Sequence, residues 1–266
     1  MDHIEHFKEN QKKAWSTFAP TEVYTCQPAA RLALFAGIRA GQRVLDVGCG
    51  TGVVSLAAAR LGAIVTGLDL TPELLVRARE NAAIAAVDIE WQEGDAEALP
   101  FADGSFDVVV SQFGHMFAPR PEVATAEMLR VLRSGGTIAF ATWPPELYTG
   151  QMFALVGRYM PPLPPGVSPP PQWGDPSIVR ERLGAGVTDI TFDRGVMRAP
   201  NLSVQHFRVF MEQNIGPIMK VLQVHAGEPD KLARFRRELD AITAIYFDPA
   251  ENIVRQDYLQ TRATKV

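Results

Sequence analysis

Cysteine is scarce: Cys26 and Cys49 are the two present in 266 residues, too few for a disulfide framework. Cys49 also lies in a glycine-rich turn, where a bridge would obstruct any ligand held there, so a reducing, cytoplasmic setting is expected. A basic excess is missing as well. The 26 Lys and Arg residues face 30 Asp and Glu, for a net charge of −4. Nucleic-acid binders usually carry a strong positive surplus, so no nucleic-acid partner is expected. No apolar run approaches the ~20 residues a membrane helix needs. The opening Met1-Asp2-His3-Ile4-Glu5-His6 shows no basic-then-apolar leader pattern, so membrane insertion is not expected. No internal repeat is visible.

What is present is a chain that is 47% hydrophobic, enough for a sizeable core and for one large domain or a domain with a cap. Its centre is Arg43-Val44-Leu45-Asp46-Val47-Gly48-Cys49-Gly50-Thr51-Gly52. Val44, Leu45 and Val47 read as a buried strand of a parallel sheet. Three glycines at alternate positions follow, then Val53 to Ala59, which reads as a helix. That order brings backbone close to a ligand at a helix N-terminus. The dinucleotide fingerprint G-x-G-x-x-G does not fit, because Val53 stands where its third glycine belongs. Asp46, two places before Gly48, would repel a pyrophosphate but suits a ligand carrying an ammonium or sulfonium charge.

Taken in order, Ile4 to Phe18 predicts an amphipathic helix ended by Pro20, with Tyr24 to Gln27 as a connector. A second helix is expected from Pro28 to Ala36. Further strands are expected at Ala63–Asp69, Asp88–Glu93, Phe106–Ser111 and Thr137–Thr142. Helices are expected from Thr71 to Ala83 and from Pro121 to Leu132. Beyond Trp143, Pro161 to Pro171 reads as an extended loop. A short helix follows Asp175, then a strand over Val187–Arg198. Helical stretches over Leu202–Leu222 and Asp230–Tyr246 precede a last strand, Ile253–Thr261. Alternating strands and helices imply a doubly wound, mostly parallel α/β sheet with right-handed crossovers. Such a sheet binds ligands at the carboxyl ends of its strands. Asp46, Asp69, Asp95 and Ser111 all fall at or just after strand ends and would gather on one edge.

The glycine stretch resembles motif I of the class I S-adenosylmethionine (SAM) dependent methyltransferases, VLDVGCGTG, nearly letter for letter. The likeness covers about Gly41 to Trp143. It implies a seven-stranded Rossmann-like sheet and SAM as methyl donor, with S-adenosylhomocysteine (SAH) as product. Gly48, Gly50 and Gly52 would let backbone approach the methionine moiety, with Asp46 near its ammonium group. Asp69 would take the ribose hydroxyls and Leu70 would pack on the adenine. Asp95 would accept from the adenine amino group, while the Ala96 N–H reaches a ring nitrogen. Ser111 belongs to the same edge. Each carboxylate also has a plainer reading, Asp69 as a helix cap and Asp95 as a turn residue.

The resemblance further implies a small-molecule acceptor, apolar or aromatic, in the broad group that includes ubiquinone and menaquinone C-methyltransferases. The Pro-Pro-Tyr signature of many amino-methylating enzymes is absent from Ser111-Gln112-Phe113-Gly114, and no acidic cluster at this edge suggests a divalent metal. His115 is the candidate general base, set against a reading as a wall histidine. Four regions are expected: a helical segment over 1–36, a SAM-binding core over 37–143, a cap with the proline-rich loop and one core strand over 144–246, and a closing strand over 247–266. Trp143, Tyr148, Phe153, Tyr159 and Trp173 would line the acceptor pocket, opposite Phe207 and Phe210. Two rival readings are a SAM-binding protein without transferase activity and a nicotinamide oxidoreductase.

Overall fold

The computed structural model describes residues 3–266. Two helices, α1 (His3–Trp15) and α2 (Glu22–Phe35), precede β1 (Arg43–Val47), α3 (Val53–Arg60), β2 (Ile64–Asp69), α4 (Pro72–Ala85) and β3 (Glu90–Glu93). Then come β4 (Phe106–Gln112), α5 (Pro121–Val131), β5 (Leu132–Thr142), α6 (Tyr148–Tyr159), α7 (Pro176–Leu183) and β6 (Val187–Pro200). The chain closes with α8 (Val204–Asn214), α9 (Gly216–Val224), α10 (Pro229–Tyr246), the two-residue β7 (Phe247–Asp248) and β8 (Ile253–Lys265). The sheet order is β3-β2-β1-β4-β5-β8-β6, with β7 an additional short partner of β8. Strands β1 to β5 are parallel, and β8 runs antiparallel between β5 and β6.

The central strands are apolar on both faces because both faces are covered. Val44, Leu45, Val47, Val108, Val109, Val110, Ile138 and Phe140 are all buried. Order reverses between β1 and β4, the place where a doubly wound sheet leaves a crevice at its carboxyl edge. Asp46 pairs in register with Gly67 of β2 and Val110 of β4, which fixes the acid at that crevice.

Helix α1 stops at Trp15, short of the expected Phe18, and β8 runs past Thr261 to Lys265; three further departures have a clear physical cause. Tyr24 to Gln27 is no connector: α2 runs unbroken from Glu22 to Phe35, with Pro28 inside it. Tyr24, Thr25, Pro28, Ala29, Leu32 and Ala33 form one buried stripe at helical spacing, and that burial offsets the hydrogen bond Pro28 cannot donate. The helical stretch Leu202–Leu222 is two helices, parted at Ile215, because Pro217 lacks an N–H and would clash with the turn before it. Strand β5 begins five residues early, at Leu132, through an irregularity opposite Phe106 and Val108 where Gly135 takes a φ of +70°.

Helices α6, α8, α9 and α10 pack on one another, and α1 packs on α9, so the N-terminal helix joins the group that follows β5. No helix of the described residues is long and apolar enough to cross a membrane.

Candidate functional site

One cleft lies at the carboxyl edge of the sheet and encloses about 1390 Å³, part of it open solvent. Its polar side is built from Gly48 to Thr51 after β1, Asp69 to Thr71 after β2, and Gly94 to Ala96 after β3. Its apolar side comes from Trp143, Met152, Phe153, Met197, Met211 and Ile215. Helix α1 contributes Lys8, Gln11 and Trp15, which share a helical face.

The glycine turn is held from both sides. The Gly48 and Cys49 N–H groups both donate to the Leu68 carbonyl, at 2.8 and 3.0 Å. A Cβ on Gly48 would come within 2.8 Å of the Gly114 Cα, so two loops pass here with no room for a side chain. Gly50 has a φ of +56°, and a Cβ there would meet no protein atom within 4 Å. Gly52 behaves otherwise. It caps α3 with a φ of +81° and abuts the Trp91 ring, outside the cleft lining.

Asp69 is 8% exposed and lines the cleft. Its Oδ2 accepts from the Gly50 N–H at 2.8 Å and its Oδ1 from the Thr71 N–H at 2.8 Å. Each oxygen keeps a lone pair for a further donor. Burial raises its pKa, against the lowering effect of those backbone bonds. Leu70, Asp95 and Ala96 also line the cleft. Asp95 Oδ1 accepts from the Glu97 N–H at 2.9 Å, and Lys8 Nζ donates to its Oδ2 at 2.5 Å.

Asp46 is buried beneath the turn, behind the residues that line the cleft and not itself among them. Its Oδ2 accepts from the Ser55 hydroxyl at 2.7 Å, while its Oδ1 is buried with no partner among the described residues. Burial pushes its pKa up to about 7, opposed by the Ser55 bonds and reinforced by nearby Asp69. Ser111 is a latch and stands outside the lining. Its hydroxyl donates to the Val47 carbonyl at 2.6 Å and accepts from the His115 N–H at 2.9 Å, tying the end of β1 to the turn after β4.

His115 is placed away from the cleft. It is 1% exposed, with its ring 4.6 Å from Phe140 and 4.7 Å from Trp173, centroid to centroid. Neither ring nitrogen has a partner among the described residues, and burial, with Arg182 adding to it, drops its pKa to about 3. Of the aromatics expected around an acceptor, Trp143 and Phe153 line the cleft. Tyr148, Trp173 and Phe207 are core, and Tyr159 donates to Glu238 instead. Phe210 lies parallel to Phe207, outside the lining. Their places are taken by Trp15, Phe18, Tyr24, Phe113 and Phe117. Phe113 stacks on Trp143 at 3.7 Å. The proline-rich loop also stays outside the lining, and touches its rim where the Ser168 N–H donates to the Pro119 carbonyl at 3.0 Å.

Sequence reasoning missed Lys8, Gln112, Thr149 and Gln256, all of which line the cleft. Lys8 could have been found from its spacing to Gln11 and Trp15. The two glutamines carry no sequence signal of their own.

A sheet of this order, with a glycine turn after its first strand and an acid ending its second, is the α/β architecture of the methyltransferase type. Comparison with known proteins agrees. Residues 45–140 match a methyltransferase-domain family model. An uncharacterised protein of Mycobacterium tuberculosis (strain H37Rv) is 38% identical over 232 residues, covering 86% of this chain and 84% of the relative. The ubiquinone/menaquinone biosynthesis C-methyltransferase of Roseobacter denitrificans is 45% identical over 104 residues, which is 38% of this chain and 42% of that protein. A solved structure from Bacillus halodurans shares the fold, superposing with a TM-score of 0.59 at 19% identity, over 89% of this chain and 98% of the other. The chain belongs to the class I SAM-dependent methyltransferases.

Proposed function

We propose that the polar side of the cleft holds SAM, and that the apolar side admits a small, largely apolar or aromatic acceptor. The observation that carries this reading is the division of one cleft into a turn-and-carboxylate side and an aromatic-and-methionine side. The residues fit the donor on their own chemistry. Asp46 Oδ1 is an unpartnered buried acceptor under the turn, suited to an ammonium group. Asp69 retains lone pairs for a vicinal diol, and Gly50 leaves space where any side chain would intrude. Leu70 would pack on the adenine, with Asp95 and the Ala96 N–H at its edge.

The donor supplies an electrophilic sulfonium methyl, so the chain need supply only alignment and exclusion of water. Trp143, Phe153, Met152, Met197 and Met211 keep the acceptor side dry, and Trp143 is held by its stack on Phe113. Ser111 fixes the distance between the two turns that meet there. His115, neutral and enclosed, takes no proton from this site in our reading; it packs the wall behind it. Helix α1 together with α6, α8, α9 and α10 serves as the cap.

The test is SAH release from SAM, followed across a panel of neutral apolar and aromatic acceptors. Acceptor-dependent release supports the reading. SAH binding with no release for any acceptor class would favour the SAM-binding protein without turnover.

A further inference from the structure

The acceptor side of the cleft carries two unsatisfied amide groups. Gln112 ends β4, next to the Phe113-Gly114 turn that abuts Gly48. Its Nε2 donates to the Thr25 carbonyl at 2.7 Å, which fixes the amide orientation and leaves Oε1 buried without a partner among the described residues. Gln256 on β8 is 4% exposed. Its Oε1 accepts from the Thr149 hydroxyl at 3.3 Å, and its Nε2 is buried without a partner. Gln112, Gln256, Thr25 and Thr149 all line the cleft.

Buried amides left half-bonded in an otherwise apolar wall are costly unless something else pairs with them. Both elements that carry them would accept an apolar residue at no loss of sheet hydrogen bonding. The charge pattern narrows the missing partner. The charged side chains of the lining are Lys8, Asp69 and Asp95. Lys8 is bound to Asp95 and Glu97, and Asp69 to two backbone N–H groups. All three are already engaged within the protein, so a charged acceptor would be desolvated there without a free counter-ion.

Resting on the methyl-transfer reading above, we infer that Gln112 and Gln256 select an uncharged, mainly apolar acceptor bearing a hydroxyl. The hydroxyl donates a hydrogen bond to Gln112 Oε1, and its oxygen, or a second acceptor atom of the same molecule, accepts one from the Gln256 Nε2–H. Apolar bulk fits against Trp143, Phe153 and Met211. The glutamines are specificity residues; neither is assigned a proton-transfer step.

The test titrates SAH-loaded protein with naphthol, methylnaphthalene and naphthoate as probes of matched bulk. Binding of SAH is measured first, so failure of the underlying reading shows before any probe is added. Naphthol should bind about ten-fold or more tighter than methylnaphthalene, with naphthoate weakest, as a hydrogen-bonding site discriminates against an analogue lacking the group. Gln112→Met and Gln256→Met should each remove most of the naphthol preference and leave methylnaphthalene and SAH affinities unchanged. Equal affinity for naphthol and methylnaphthalene in the parent protein would overturn the inference, as would tightest binding of naphthoate or no binding of any probe. A glutamine variant that weakens methylnaphthalene as much as naphthol would reduce that residue to wall structure and overturn its assignment.

Discussion

Lys8 Nζ donates to Asp95 Oδ2 at 2.5 Å and to Glu97 Oε2 at 2.6 Å, joining the first helix to the turn after β3. The Glu97 side chain is 1% exposed and also accepts from the Arg120 backbone and guanidinium. The pair therefore couples α1 to the rim where the adenine would sit.

That coupling makes Lys8 a clamp on α1. Lys8→Met should leave the sheet intact, because Arg120 still serves Glu97. Amides in His3–Trp15 should exchange roughly ten-fold faster, as expected for a lost charge-assisted hydrogen bond worth about 1–2 kcal/mol. Hydrogen exchange followed by mass spectrometry reads this directly. Unchanged protection across α1 would mean its apolar contacts alone hold it.

Two glycines of the same turn should fail in different ways. At Gly48 a methyl would meet the Gly114 backbone, so Gly48→Ala should lower the unfolding midpoint in urea. Gly50→Ala meets nothing but keeps a φ of +56°, so it should cost only about 1 kcal/mol of stability while weakening SAH by ten-fold or more. If Gly50→Ala bound SAH like the parent, the open space beside Gly50 would not belong to the ligand.

Asp46 and His115 give opposite pH dependences. His115 falls from 6.5 to about 3 in the folded protein, so the unfolded chain takes up its proton first. Acidification from about pH 6.5 toward 3 therefore erodes its contribution, by at most about 1.4 kcal/mol per pH unit. Asp46 rises from 3.8 to about 7, so the folded protein keeps a proton the unfolded chain has released. Its contribution is lost as pH rises from 3.8 to about 7. Over the shared window the two offset each other. Urea unfolding across that range should show stability falling with rising pH in His115→Leu, and falling with falling pH in Asp46→Asn. Parallel curves for the parent and both variants would remove both groups from the acid response.

Asp46 also links ligand to proton. An ammonium group beside it favours the ionised carboxylate, so SAH affinity should climb as pH rises toward about 7. Asp46→Asn should flatten that climb. Calorimetry at stepped pH measures it, and an equal slope in the variant would place the ammonium elsewhere.

Much of the core was legible because its signals are local. The strand at Arg43–Val47 is an apolar run meeting a glycine turn, Asp69 closes the mostly apolar β2, and Asp95 follows the glycine just after β3. Pro28 misled because proline's local penalty was outweighed by a buried stripe that only the tertiary fold reveals. The acceptor wall was the least legible part. Tyr148, Trp173 and Phe207 carry the same aromatic character as Trp143 and Phe153, and which of them face the cleft depends on how α6, α8 and α10 pack together. His115 sat at the expected place in the chain, one turn beyond β4, yet the Ser111 latch on its backbone N–H and the rings of Phe140 and Trp173 draw it inward.

Asp69 is the residue whose loss should tell most directly on donor binding. Calorimetric titration with SAH should show one site per chain in the parent protein. In Asp69→Ala the loss of charge-assisted bonds should weaken SAH by about 2–3 kcal/mol, roughly 30- to 150-fold. Undiminished SAH affinity in Asp69→Ala, or no SAH binding by the parent, would contradict that role.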